Sequence, residues 1–147
     1  MAVTATPYNA FLYRQLGDTS VTPINLKTDT IKIALLSSSY TPDFDAHDFF
    51  NDITNEVTGT GYTAGGVALT VTTSQDNTDN EGVADATDPS WNPSTITARY
   101  AVIYKDTGTA STSPLIGLIN FGTDVSATAG EFKITLAAEG FLNFTSA

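Results

Sequence analysis

The sequence predicts an all-β fold: a single-domain antiparallel β-sandwich or barrel of about six to eight strands, with one or two short helices as decoration. Three observations predict it. Threonine, alanine, serine and glycine are abundant, while the helix-favouring Glu, Lys, Arg and Gln are scarce. Short apolar or alternating runs recur between stretches rich in turn residues. The chain has 147 residues and no cysteine, which suits one domain spanning 1–147 whose stability comes from packing or assembly and not from disulfides.

The elements follow in order. Residues 1–17 read as an N-terminal helical arm. Within it PYNAFLYRQLG, Pro7 to Gly17, places Tyr8, Phe11, Leu12 and Leu16 on one stripe of a short helix. Thr6 can cap it, Pro7 suits its first position and Gly17 can end it. Ile31 to Leu36 is a strand buried on one face or both, and Phe44 to Ile53 can form a second short helix with Phe49, Phe50 and Ile53 on one side. Val67 to Thr73 is a strand by β-branching and alternation. The polar SQDNTDNEG then connects it, as a hairpin, to Val83 to Thr87.

Trp91 falls in the turn-rich PSWNPS. Ile96 to Tyr104 is the strongest strand, with Ile96, Ala98, Tyr100, Val102 and Tyr104 expected on one face and Thr97, Arg99, Ala101 and Ile103 on the other. After the loop DTGTASTSP come three more strands: Leu115 to Phe121, Glu131 to Ala137, and Phe141 to Phe144.

Charge narrows the partners. The formal net charge is −10, with six basic residues dispersed along the chain, so the clustered Lys and Arg that neutralise nucleic-acid phosphates are missing. No stretch approaches the ~20 apolar residues of a membrane span, and the first residues lack the basic start and apolar run of a signal peptide. Neither nucleic acid nor membrane is expected as a partner.

Catalytic equipment is sparse. His47 is the single histidine, flanked by Asp43, Asp45 and Asp48. A metal centre wants at least three convergent ligands, so a structural or solvated-loop role is preferred for it. Without a second histidine or a cysteine, a nucleophile–base pair is limited to Ser or Thr with His47, and no G-x-S-x-G elbow exists. Asp76 to Gly82 supplies hard oxygen ligands suited to calcium but departs from the D-x-[DN]-x-[DN]-G-x₅-E spacing, which favours a solvated hairpin loop. No catalytic, cofactor-binding or metal residue is assigned. The aromatic residues default to core. Tyr40, Tyr62 and Trp91 sit in turn-rich sequence and are candidates for contacts between subunits as well as for packing.

One stretch tests the division between enzyme and building part. TNEVTGTGYTAGG, Thr54 to Gly66, holds Gly59, Gly61, Gly65 and Gly66 around Tyr62. A phosphate loop would need G-x-x-x-x-G-K-[ST] or G-x-G-x-x-G ahead of a helix, whereas here no lysine follows and a strand comes next. The glycines are therefore read as serving backbone geometry.

The segments DTIKIALL, TNEVTGTGYTAGGVALT, TDPSWNPSTITARYAVIYKDTG and LIGLINFG, in that order, resemble a family of small tailed-bacteriophage virion proteins. The match spans Asp29 to Gly122. The resemblance implies a β-rich structural part of the particle, located in the virion after synthesis in the host bacterial cytoplasm. The expectation is a non-enzymatic capsid decoration or cement protein on the head exterior, forming a homo-oligomer and bound to the major capsid protein or to tail proteins. A tail, neck or fibre-associated component of the same particle is the alternative. A carbohydrate-binding module, with Trp91 and the tyrosines stacking on sugars, is the alternative of another class.

Overall fold

The computed structural model describes residues 2–17 and 22–146. The fold is all-β and sandwich-like. Its elements in chain order are β1 (Ala2–Val3), β2 (Thr6–Pro7), α1 (Asn9–Gln15), β3 (Ile31–Leu36), β4 (Val67–Leu69), β5 (Val71–Asp76), β6 (Glu81–Ala86), β7 (Ser90–Lys105), β8 (Leu115–Lys133), β9 (Thr135–Leu136) and β10 (Leu142–Thr145). They form a five-stranded sheet ordered β2-β8-β7-β3-β4, a three-stranded sheet ordered β10-β6-β5 and a small parallel pair β1-β9.

Two layers of apolar side chains flank the five-stranded sheet. On one face Ile31, Ile33, Leu35, Ala101, Ile103 and Ile119 pack against Ala84 and Leu142 of the three-stranded sheet and Leu136 of β9. On the other, Ala34, Leu36, Val102, Tyr104, Leu115 and Leu118 are roofed by Tyr8 and Tyr40. A central strand with both faces covered reads as an apolar run, which is why IKIALL and AVIY carry so little polar alternation.

The chain crosses from one sheet to the other at Thr70. The stretch expected as one strand, Val67 to Thr73, is therefore split: β4 pairs with β3 and β5 with β6. Asp76 to Gly82 joins β5 to β6 as the expected hairpin.

The helix is shorter than the apolar stripe suggests. Thr6 and Pro7 belong to β2, no side chain caps α1, and Gly17 with φ 101° follows its end. Tyr8 and Phe11 are fully buried whereas Leu12 is partly exposed and Leu16 is 86% exposed, so half the stripe faces outward. Met1 of the expected arm lies outside the described residues. The second expected helix, Phe44 to Ile53, reduces to a single 3₁₀ turn at Phe50–Asp52. Aspartates are the reason. Asp43 Oδ1 accepts the backbone N–H groups of Asp45 and Ala46, and Asp52 Oδ2 accepts those of Asp48 and Phe49. These side chains offer the backbone an alternative to helical bonding.

The strongest strand is central, as expected, with β3 on one side and β8 on the other. Its facing is corrected. Ile96 and Ala98 share a core face with Ala101 and Ile103, while Tyr100, Val102 and Tyr104 face the opposite layer. Strict alternation fails because the ladder is irregular between Ala98 and Tyr100, and one such shift flips every later side chain. Val102 is fully buried and Tyr100 half-buried.

Candidate functional site

Two regions matter most here, and in the first the glycine loop is locked onto the sheet. The glycine stretch runs across the ends of β3 and β7. Val57 N–H donates to Leu35 O, and Thr60 bridges Thr95. Glu56 organises the loop: its Oε1 accepts from the Tyr62 hydroxyl at 2.6 Å and from the Gly65 N–H at 2.6 Å. The Tyr62 hydroxyl in turn accepts the Leu35 N–H at 2.9 Å, and the Tyr104 hydroxyl donates to Gly65 O at 2.7 Å. Burial pushes both phenols well above the ordinary tyrosine range, and for Tyr62 the bond to the Glu56 carboxylate adds to it. Gly61 (φ 81°) and Gly66 (φ 75°) are required by contact as well as by conformation. A Cβ on either would collide with a carbonyl, that of Pro93 or of Ile33. The glycines let backbone touch backbone. Glu56, the Tyr62 hydroxyl and the Gly65 peptide are thus bonded within the protein, and among the described residues no helix N-terminus faces the loop.

Of the three candidate contact residues, Tyr40 is 2% and Trp91 4% exposed, and Tyr62 is half-buried. Trp91 lies within β7, not in a turn, opposite Phe132, with its ring centroid 5.9 Å from Tyr62 and 6.0 Å from Phe132. Neither face of the indole is left for a ligand. The PSWNPS stretch runs extended with the ladder irregular between Trp91 and Ser94, where the proline can be accommodated. Tyr40 links Tyr8 at 3.0 Å to His47 Nδ1 at 2.8 Å, so the lone histidine ends a hydrogen-bonded chain that anchors the 40–53 loop over the sheet. Asp76, Asp79 and Glu81 bring ligand atoms within 4.8 Å of one another at the tip of the β5–β6 hairpin. Asp76 spends its carboxylate on the turn, accepting the Thr78 and Asp79 N–H groups, which hold it below the usual carboxylate range. Among the described residues no serine or threonine is paired with His47.

The second region is open. The sequence reading stops a strand at Phe121 and starts another at Glu131. The structure corrects this to one 19-residue strand, β8, which includes GTDVSATAG. Hydroxyls zip that stretch to β7. Thr97 Oγ1 meets Ser126 Oγ at 2.7 Å, Ser94 Oγ donates to Gly130 O at 3.2 Å, and Ala129 N–H donates to Thr95 Oγ1 at 2.9 Å. On its other side β8 is paired only at Gly117 and Leu118, with β2. From Ile119 to Lys133 that edge has no neighbouring strand among the described residues, and most side chains from Gly122 to Glu131 are exposed. Beside the edge lies a groove of about 110 Å³ lined by Val3, Phe121, Val125, Phe132 and Ile134, with Lys133 and Thr135 at its rim. The signal missed was the Ser and Thr content of both strands, which serves here as pairing chemistry, not as turn chemistry.

An open strand edge on an all-β fold, then, is the feature that the geometry defines. No family model, curated protein or solved structure matches the chain.

Proposed function

We propose that this protein is a non-enzymatic structural component of a tailed-bacteriophage particle, a capsid decoration protein on the head exterior that works by binding other virion proteins. The observation that supports an assembly role is the outer edge of β8, a long row of backbone donors and acceptors with no partner strand among the described residues. Natural sheets blunt such edges with lysine, proline, twist or a covering element, because an open one invites pairing with another chain. Here the segment Val125 to Gly130 carries no charge and no proline. The resemblance to virion proteins supports the setting. Its motif residues, Glu56, Tyr62, Gly66, Trp91, Val102 and Tyr104 among them, are the ones that lock the loop and the core, so they support the fold-level kinship more than a place on the head or tail. The buried Trp91 offers no stacking platform, which leaves the carbohydrate-binding reading without an observation in its favour.

Quantitative mass spectrometry of purified particles tests the proposal. A copy number that scales with the capsid lattice is the expected result. A few copies per particle would move the protein to the tail or neck, and absence from washed particles would overturn the reading.

A further inference from the structure

We propose that the outer edge of β8 pairs with the same edge of a second copy of this chain, antiparallel about a two-fold axis, in the register that sets Val125 opposite the partner's Phe132. The proposal rests on the assembly reading above and names the partner for that surface.

Four observations select a second copy as the occupant. First, a chain of net charge −10 repels itself over most approaches. The uncharged Val125–Gly130 segment lets two copies meet without that penalty. Second, this register brings opposite charges together: Asp124 of each copy faces the partner's Lys133, twice over by symmetry, while Glu131 falls opposite the uncharged Ser126; within its own copy Asp124 lies 3.8 Å from Arg99 and Lys133 lies 3.3 Å from Asp88. Third, the two sides of the strand agree. Val125 is paired with Ala98 and Phe132 with Trp91, both on the core face. Directly opposed residues in an antiparallel pair share a face, so the partner's Val125 arrives over Phe132 at the apolar groove, and 38% of the Val125 side is available to be covered.

The fourth observation is the most selective. The β7–β8 ladder steps from Ile96↔Ala127 to Ser94↔Gly130, so Thr128 and Ala129 together oppose Thr95, and Ala129 sits at φ 48°. This is a bulge, and it shifts the facing of β8 by one residue. A regular strand laid along the edge would be in phase on one side of the bulge and out of phase on the other. An antiparallel second copy carries the same extra residue at the same central position, Thr128 opposite the partner's Ala129, and stays in phase throughout. The contact is then isologous and closes at two copies.

Sedimentation of the full-length protein tests the pairing. The parent is expected to dimerise. Val125→Lys, which puts a charge into the groove at a partly exposed site, is expected to raise the dissociation constant by roughly a hundredfold or more while the circular dichroism spectrum is unchanged. Because the chain has no cysteine, register can be read directly. In the double variant Asp124→Cys with Lys133→Cys the two positions lie nine residues apart on one strand, roughly 30 Å at the usual strand rise, too far to bridge within a copy. Oxidation should therefore give covalent dimers, and the shifted control Ser126→Cys with Lys133→Cys should not. A monomeric parent, a Val125→Lys protein that dimerises like the parent, or crosslinking of the control in place of the first pair would each overturn the pairing. A monomer that is nevertheless present in purified particles refutes the edge pairing and leaves the structural role standing. A dimer absent from particles does the reverse.

Discussion

The two halves of the β7–β8 hairpin are built from one continuous pair of strands and behave as different materials. In the proximal half, Tyr100–Lys105 against Leu115–Asn120, β3 adds a further neighbour and both faces are covered by apolar layers. In the distal half, Ser90–Ala98 against Val125–Lys133, one face meets the core through Trp91, Ile96 and Phe132 while the β8 edge and the outer face stay open. The proximal half spends its side chains on stability. The distal half holds its pairing with hydroxyls and leaves surface free for another molecule.

The sharpest way to break the comparison is to put the same change in each half. Val102 lies at the centre of the proximal half, fully buried beside Ala34 and Leu118 on the neighbouring strands. Val102→Asp should cost about 4 kcal/mol or more, the scale of an unpaired charge in a core, and yield little folded protein. Val125→Asp, in the dilute protein, should cost under about 0.5 kcal/mol. Denaturant titration of both decides it, and equal losses would mean that the distal half is as integral to the core as the proximal one.

Glycines with left-handed backbone give the next contrast. Gly66 and Gly122 have nearly the same φ, 75° and 80°, but a Cβ at Gly66 strikes the Ile33 carbonyl whereas one at Gly122 meets nothing within 4 Å. Gly122→Ala should cost about 1 kcal/mol, the conformational term alone. Gly66→Ala adds displacement of β3 and should cost about 3 kcal/mol or more. Thermal melts of the pair separate conformation from contact, and a similar loss in both would remove the argument that the loop lies locked on β3.

How legible this was in the sequence follows the same division. The locked half was readable because its chemistry is local. IKIALL and ITARYAVIY carry the β signal on adjacent residues, and the absence of lysine and helix after TGTGYTAGG excluded a phosphate loop. The faces of Ile96 to Tyr104 were not readable, because a ladder irregularity is a property of two strands and alternation in one cannot reveal it. Phe44 to Ile53 had helical spacing, yet Asp43 and Asp52 captured the backbone donors that a helix needs. The open edge was hidden for a related reason. Gly122, Gly130 and the Ser and Thr residues between them are turn formers in isolation, and only their partners on β7 turn them into a strand.

Alkali should loosen the proximal half first. Tyr8, Tyr40, Tyr62 and Tyr104 are all held above the ordinary tyrosine range, in each case chiefly by burial. A group whose pKa is raised by folding stabilises fully below its unfolded value, near 10, and loses that contribution as pH climbs beyond it. Each phenol then contributes up to about 1.4 kcal/mol of destabilisation per pH unit. Tyrosinate absorbance should therefore rise in step with loss of the circular dichroism signal above pH 10. Ionisation of all four with the fold intact would contradict their burial.

The smallest expected effect compares the ion pairs of the two halves. Lys32 Nζ approaches Asp106 Oδ2 at 2.6 Å beside the proximal half, both side chains about a quarter to a third exposed, and that hydrogen bond holds the Asp106 carboxyl below its usual range. Arg99 and Asp124 are 3.8 Å apart near the distal edge, with Asp124 48% exposed. Exposed pairs are worth ~0–1 kcal/mol, less as exposure and distance grow. Asp106→Asn should then lose about 1 kcal/mol and, in protein dilute enough to be monomeric, Asp124→Asn close to nothing. The sign with pH follows. A carboxylate whose pKa is lowered by folding contributes above its unfolded value of 3.8 and loses that contribution as pH falls further. The difference between parent and Asp106→Asn should accordingly be constant near neutrality and shrink below about pH 4. A larger penalty for Asp124→Asn would mean that the distal edge relies on charge for its own stability and is less free to meet a partner.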